Sequence, residues 1–142
     1  MWTPDPSIII TAAQKAEESA AATRAAVNVE RDRRIVAGTT IDGIAVTGRD
    51  EDARNLTNLA LAAQLCLAQG DTTTLTTFRD GNNTDRDLTP PQVLSLWQQS
   101  ATYVSALYAA SWAIKAMDPL PADVTADEFW PGGGPAVIFA EV

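Results

Sequence analysis

The sequence predicts an α+β fold with three main helices, two small β-hairpins and extended arms at both ends. Three observations carry that reading. Two helical runs open on threonine caps, at Thr11 and at Thr89-Pro90-Pro91-Gln92. Two Asp-Gly pairs, Asp42-Gly43 and Asp80-Gly81, stand within short β-branched stretches, the pattern of tight hairpins. Gly38 and Gly70 close two of the helical runs, as residues suited to the left-handed position that ends many helices.

Taken in order, residues 1–10 read as an extended arm. It carries Pro4 and Pro6 and then Ile8-Ile9-Ile10, and prolines and β-branched residues both favour extended backbone. From Thr11 to Ala37 the pattern is helical and rich in alanine, which gives high intrinsic propensity. It has almost no large apolar residue before Val27. Burying alanine methyls yields little, so its first half is expected to be a solvent-exposed spacer or a close-packing surface against other helices. Its last two turns carry Glu30-Arg31-Asp32-Arg33-Arg34. Glu30 and Arg34 stand four apart and pair along one face, with cations favoured near the helix C-terminus.

Thr39 to Thr47 reads as the first hairpin, turning at Asp42-Gly43. Asp50 is the expected cap of a second helix running to about Gln69, with Leu56, Leu59, Leu61, Leu65 and Leu67 as a broad apolar face. Thr72 to Leu88 reads as the second hairpin, turning near Asp80-Gly81-Asn82-Asn83. The third helix starts on the Thr89 cap, with Gln92 three residues on as a capping box. It runs to about Met117 with Val93, Trp97, Ala101, Val104, Tyr108 and Ser111 on its expected buried stripe. A turn near 125–128 leads to Phe129-Trp130-Pro131, with Trp130 packing back onto the helices. Gly132-Gly133-Gly134 then precedes the apolar stretch Ala136 to Val142. The organisation is therefore an arm over 1–10, an Ala-rich helix over 11–37, a compact body over 38–131, and a hinge and tail over 132–142.

Composition narrows the chemistry. The chain has 142 residues, a net charge of −8 and no histidine. The acidic balance argues against nucleic acid or anionic membrane as a partner, because both require a basic surface. Lacking histidine removes the commonest general base and metal ligand. Cys66 is the lone cysteine and, between two leucines, is expected to be a buried, inert thiol. Asp80, Asp85 and Asp87 cluster near a turn, but their spacing does not match a calcium loop; they read as solvated turn acids. No catalytic residue, cofactor or metal is expected. No stretch approaches the ~20 apolar residues of a membrane span, and the N-terminus lacks the charged start of a signal peptide. The expected product is a soluble protein made in the host cytoplasm.

Several pieces of the chain, in order, resemble a small domain of unknown function found in tail and tail-fibre proteins of bacteriophages. Arg31-Asp32-Arg33-Arg34-Ile35 with Gly38 looks like that family's first helix end, and Thr40 to Val46 like its hairpin. Arg49 to Leu56 looks like its second helix start, and Ala113-Ile114-Lys115-Ala116-Met117 with Phe129-Trp130-Pro131 like its ending. The likeness covers about Glu30 to Pro131. It departs at 71–88, where the family shows a tryptophan-bearing strand and this chain has threonines. The resemblance implies a virion tail context and brings no catalytic residues.

The remaining features are interaction features. Trp2 stands in a non-helical arm, where an aromatic serves best as an anchor in a pocket on another chain. Ile8, Ile9 and Ile10 extend that arm. Trp112 lies off the main helical stripe and faces a partner or the loop after the helix. Val137, Ile138 and Phe139 must cover apolar surface, by folding back on the chain's own hairpins or, the favoured reading, by adding a strand to a neighbour. The expected partners are other tail proteins and copies of this chain, with a trimer plausible, and the expected function is a non-enzymatic structural subunit of a tail or tail fibre. A tail-fibre assembly chaperone is the alternative, because the Lys115 to Pro131 ending is similar to tail-assembly proteins that finish near a Trp-Pro. A carbohydrate-binding tail-tip module ranks third.

Overall fold

The computed structural model of the chain describes Thr3 and residues 11–132. The order is α1 (Ala12–Ala37), β1 (Thr39–Ile41), β2 (Ile44–Val46), α2 (Asp50–Ala68), β3 (Thr76–Arg79), β4 (Asp85–Leu88), α3 (Pro90–Lys115) and a single 3-10 turn over Asp127–Phe129. The fold is α+β as predicted, with each pair of strands forming its own antiparallel two-stranded sheet.

Local chemistry sets most of the boundaries. Thr11 and Thr89 each accept a backbone N–H at the third helical residue, while Gln14 and Gln92 reach back to the cap N–H. These are two complete capping boxes. Gly38 ends α1 at φ +73, its N–H donating to Arg34 O. In the first hairpin, Thr39 faces Val46 and Ile41 faces Ile44. Asp42 and Gly43 both hold positive φ, at 51 and 79, as the type I′ turn requires.

Two boundaries differ from expectation. Arg49, not Asp50, precedes α2, and it makes no side-chain capping bond. Asp50, Glu51 and Asp52 instead fill the first turn, where the helix dipole favours acids. Thr47 Oγ1 and Arg49 Nε both donate to Asp52 Oδ2. The second hairpin starts at Thr76 rather than Thr72. Asp71 Oδ1 takes the Thr73 and Thr74 N–H groups, and this side-chain turn outcompetes the strand.

α3 is the spine of the molecule, packing on both α1 and α2. It runs antiparallel to α1, since Arg24 and Asn28 meet Lys115 while Arg31 meets Tyr108. Two cores form along it. One joins the hairpins, α2 and the first turns of α3 through Ile41, Val46, Leu56, Phe78, Val93 and Leu96. The other joins α1, the later turns of α3 and the C-terminal segment through Val27, Tyr103, Leu107, Ile114, Val124 and Trp130.

The buried line of α3 is rotated from the expected stripe. Val93 and Ser111 of that stripe are buried, as are Leu107 and Ile114, which the sequence places beside it; but Leu96 and Tyr103 are inside too, whereas Ala101 and Tyr108 are exposed. α3 is covered by α1 on one side and α2 on another, so burial follows two neighbours rather than one apolar row. On α2 the burial falls on Leu56, Ala60 and Ala63, with Leu61 and Leu65 exposed. Small alanines let α2 approach α3 closely, while Leu61 and Leu65 face outward. Cys66 is half-buried rather than enclosed. Along α1, residues 11–22 are exposed apart from half-buried Ala20, as the missing large side chains foretell.

The hairpins are tied to each other by polar groups. Gly81 N–H donates to Ala45 O and Arg86 Nη2 to Gly43 O. Asp80, expected in solvent, is buried. It accepts the Asn82 and Thr84 N–H groups and Arg86 Nε, which hold its carboxyl below the ordinary value of 3.8, the Thr84 N–H most of all.

Two glycines with similar φ will respond differently. A β-carbon on Gly38 would stand 1.8 Å from Val46 O, while one on Gly43 would meet nothing within 4 Å. Gly38→Ala is therefore expected to cost about 3 kcal/mol or more. Gly43→Asn, which tolerates the left-handed region, should cost less than about 1 kcal/mol. Urea unfolding of both variants measures the difference.

Candidate protein interface

The expected interaction residues fall into two groups. Trp2, Ile8, Ile9, Ile10, Val137, Ile138 and Phe139 lie outside the described residues. Trp112 lies on α3 and is 61 % exposed. It is not isolated. Its ring centroid stands 6.2 Å from that of Tyr108, tilted by 48°. The Arg31 guanidinium lies 4.6 Å from the Tyr108 ring centroid. Arg31 is steadied in turn by Asn28 Oδ1 and Asp32 Oδ1. The result is a ledge of cation, phenol and indole on two packed helices, presenting a broad amphipathic surface at small rotamer cost.

A buried polar clamp lies beside this ledge. Arg34 Nε donates to Glu30 Oε1 at 2.9 Å, the i,i+4 pair expected from sequence. Arg34 Nη2 then reaches across to Thr125 O at 3.0 Å and Asp127 Oδ1 at 2.7 Å. The guanidinium also lies 5.4 Å from the centre of the Trp130 ring. Trp130 is buried and donates Nε1–H to Val124 O at 2.8 Å. Glu30 accepts from Arg33 as well. That bond is the largest influence holding its carboxyl below the ordinary 4.5, against the opposing cost of burial and with help from Arg34.

The second surface feature is a groove of about 360 Å³ between the end of α1, the first hairpin, the start of α2 and the middle of α3. Its lining includes Ile35, Val46, Leu56, Trp97, Tyr103 and Val104, and it lies where the two cores do not merge. Trp97, expected in the core, is half-buried at this groove and packs against the first core. Sequence reasoning missed the groove. The one signal available was the apolar row Trp97, Ala101 and Val104, which reads as a buried stripe and in fact lines the opening.

Val29 and Val36 are also exposed on α1. They stand seven residues apart on the face opposite Val27, since 3.6 residues make a turn. Among the described residues no group of three or more Cys, Asp or Glu side chains is placed to hold a metal. No described helix is long and apolar enough to cross a membrane.

Residues 18–129 match the model of a family described as a domain of unknown function, DUF4376. No curated protein and no solved structure matches the chain.

The clamp sets two expected outcomes. Removing Arg34 leaves buried Glu30 with Arg33 alone and cuts the ties to Thr125 O and Asp127, so Arg34→Ala should lose about 3 kcal/mol. Arg34→Lys should recover only part of that, because an ammonium cannot reproduce the fork. Acid also weakens the clamp. Glu30 titrates below 4.5 in the fold and near 4.5 when unfolded, so its contribution is full above that pH and lost as pH falls through the folded value. In chemical denaturation from pH 6 down to about pH 3, Glu30→Gln should therefore start less stable and decline less steeply than the parent.

Proposed function

We propose that this chain, which belongs to the DUF4376 family, is a non-enzymatic structural module of a bacteriophage tail or tail fibre. The observation that carries the interaction half of this reading is the exposed Trp112–Tyr108 pair, backed by the largely covered Arg31. Tryptophan, tyrosine and arginine are the residue types that dominate binding energy at protein interfaces. They are held here on rigid helices, so little order is lost on docking. The tail half of the reading is supported by the resemblance of the 31–56 and 113–131 segments to domains of phage tail proteins.

The partners are other tail proteins and further copies of this chain. The arm bearing Trp2 and Ile8 to Ile10, followed by the exposed first turns of α1, attaches the body to a larger component. Val29 and Val36 continue that exposed face toward the body, a spacing compatible with copies meeting about a symmetry axis. The site of action is the virion tail, reached from synthesis in the host cytoplasm. A fibre-assembly chaperone would use the same ledge transiently.

Quantitative mass spectrometry of purified particles of the encoding phage separates these roles. A fixed copy number alongside tail proteins is the expected result; presence only in infected-cell lysate would assign the chaperone role. Trp112→Asp should leave unfolding free energy within about 0.5 kcal/mol, as for other exposed substitutions. It should weaken co-purification with the tail partner at least about tenfold, as loss of a central anchor does.

A further inference from the structure

Trp112 and the groove lie on one line of α3. Ala101, Ser105, Tyr108 and Trp112 are spaced by four, three and four residues, and all four are exposed; that spacing puts them on one face of the helix. Ala101 and Ser105 line the groove. Tyr108 and Trp112 are the two outward rings, 37 % and 61 % exposed. One row therefore carries a recess at one end and a projection at the other. Trp112 is eleven residues beyond Ala101, three turns and about 16 Å along the axis at 1.5 Å per residue.

The row is also free of charge. From Pro90 to Ile114 α3 has no charged residue, and α2 has none from Asn55 to Ala68, in a chain with 18 acidic and 10 basic residues. A net charge of −8 drives copies apart wherever carboxylates face each other. The exposed face of α3 is where two copies meet without opposing them. The exposed face of α1, by contrast, carries Glu17, Glu18 and Asp32. Depletion of charge together with exposed aromatic rings is the composition of an interface core.

We infer that this face of α3 is a dimer interface between two copies of the chain, with Trp112 of each copy seated in the groove of the other. A two-fold axis across α3 near Ala106 and Leu107 sets the two helices antiparallel. It brings Trp112 of one copy over Ala101 of the other, and Tyr108 over Ser105, so large side chains meet small ones along the row. Trp97, one turn before Ala101 and half-buried at the groove, gives the incoming indole an aromatic neighbour. The groove's volume of about 360 Å³ is in the range of sites that enclose a small ligand, so an indole has room. An isologous contact uses each feature twice. A projection and a recess on one uncharged row therefore point to a second copy rather than to an unrelated chain. The inference rests on the ring pair being an interface, as proposed above, and names its partner.

Light scattering on the full-length chain, from low micromolar to submillimolar protein, tests it. The parent should reach twice the mass of a single chain. Trp112→Lys and Ala101→Asp, both at exposed positions, should each raise the dissociation constant at least about tenfold, as loss of a central anchor does. Circular dichroism of the two variants should show unchanged helix content. Mixed together, the variants should dimerise again, because the introduced ammonium then faces the introduced carboxylate while the intact Trp112 enters the intact groove. A merely structural effect gives no such rescue. A parent that stays monomeric overturns the inference and leaves the rings to a different tail protein, which co-purification detects independently. A trimer overturns it too, as does a dimer that neither substitution weakens or that the mixture fails to restore. Absence of the chain from purified particles would instead sink the tail reading and leave the dimer standing.

Discussion

One guanidinium organises the second half of this molecule. Among the described residues after α3 there is no strand or long helix, only a single 3-10 turn. Arg34 supplies the missing fixed point, binding Glu30 within its own helix and Thr125 O and Asp127 across the gap. The two ends differ in strength. Asp127 is 71 % exposed, so its ion pair is screened and weak. The Glu30 end is buried, in the drier interior where geometry matters most, and the Thr125 carbonyl bond is partly buried. Trp130 completes the arrangement as an apolar plate beneath the guanidinium and a donor to Val124 O. Arginine suits this place because its planar fork serves three acceptors and an aromatic face at once.

α3 distributes this order along its length. Its first turns belong to the core of hairpins and α2, its later turns to the core of α1 and the C-terminal segment. Leu107 and Val27 are fully buried at the second core, and burying each such side chain stabilises by roughly 1.5–3 kcal/mol. The hairpins are too short to be stable alone. They persist because Ile41, Val46, Phe78 and Leu88 feed one core and because Asp80 and Arg86 lock one turn to the other. A protein with a long helix serving two cores has a natural seam at the changeover, and the groove lies there.

The surface that remains is divided by function. The clamp is inward and structural, whereas the Tyr108 and Trp112 rings, backed by Arg31, face outward on the same pair of helices. Neighbouring residues of one charged run thus serve opposite ends: Arg34 holds the C-terminal segment, and three residues earlier Arg31 backs an exposed ring. The rise of the helix separates them, since residues three apart share a side of the helix yet reach different neighbours along its length.

Wherever backbone chemistry is local, the sequence by itself determined the outcome. The capping boxes at Thr11 and Thr89, the Asp42-Gly43 turn, the stop at Gly38 and the Glu30–Arg34 pair all follow from groups within a few residues of each other. The exposure of the alanine-rich first turns of α1 follows too, because nothing there was large enough to anchor. Tertiary structure decided what depends on distant neighbours. It turned α3 so that Leu96 and Tyr103 went inside and the Trp97–Ala101–Val104 row was left along a groove. It drew Asp80 out of solvent and brought Thr125 and Asp127 to Arg34 across about ninety residues of chain. A helix with one neighbour buries the face its pattern announces. A helix shared by two cores buries whichever faces those neighbours reach, and their directions are written in no local run of residues.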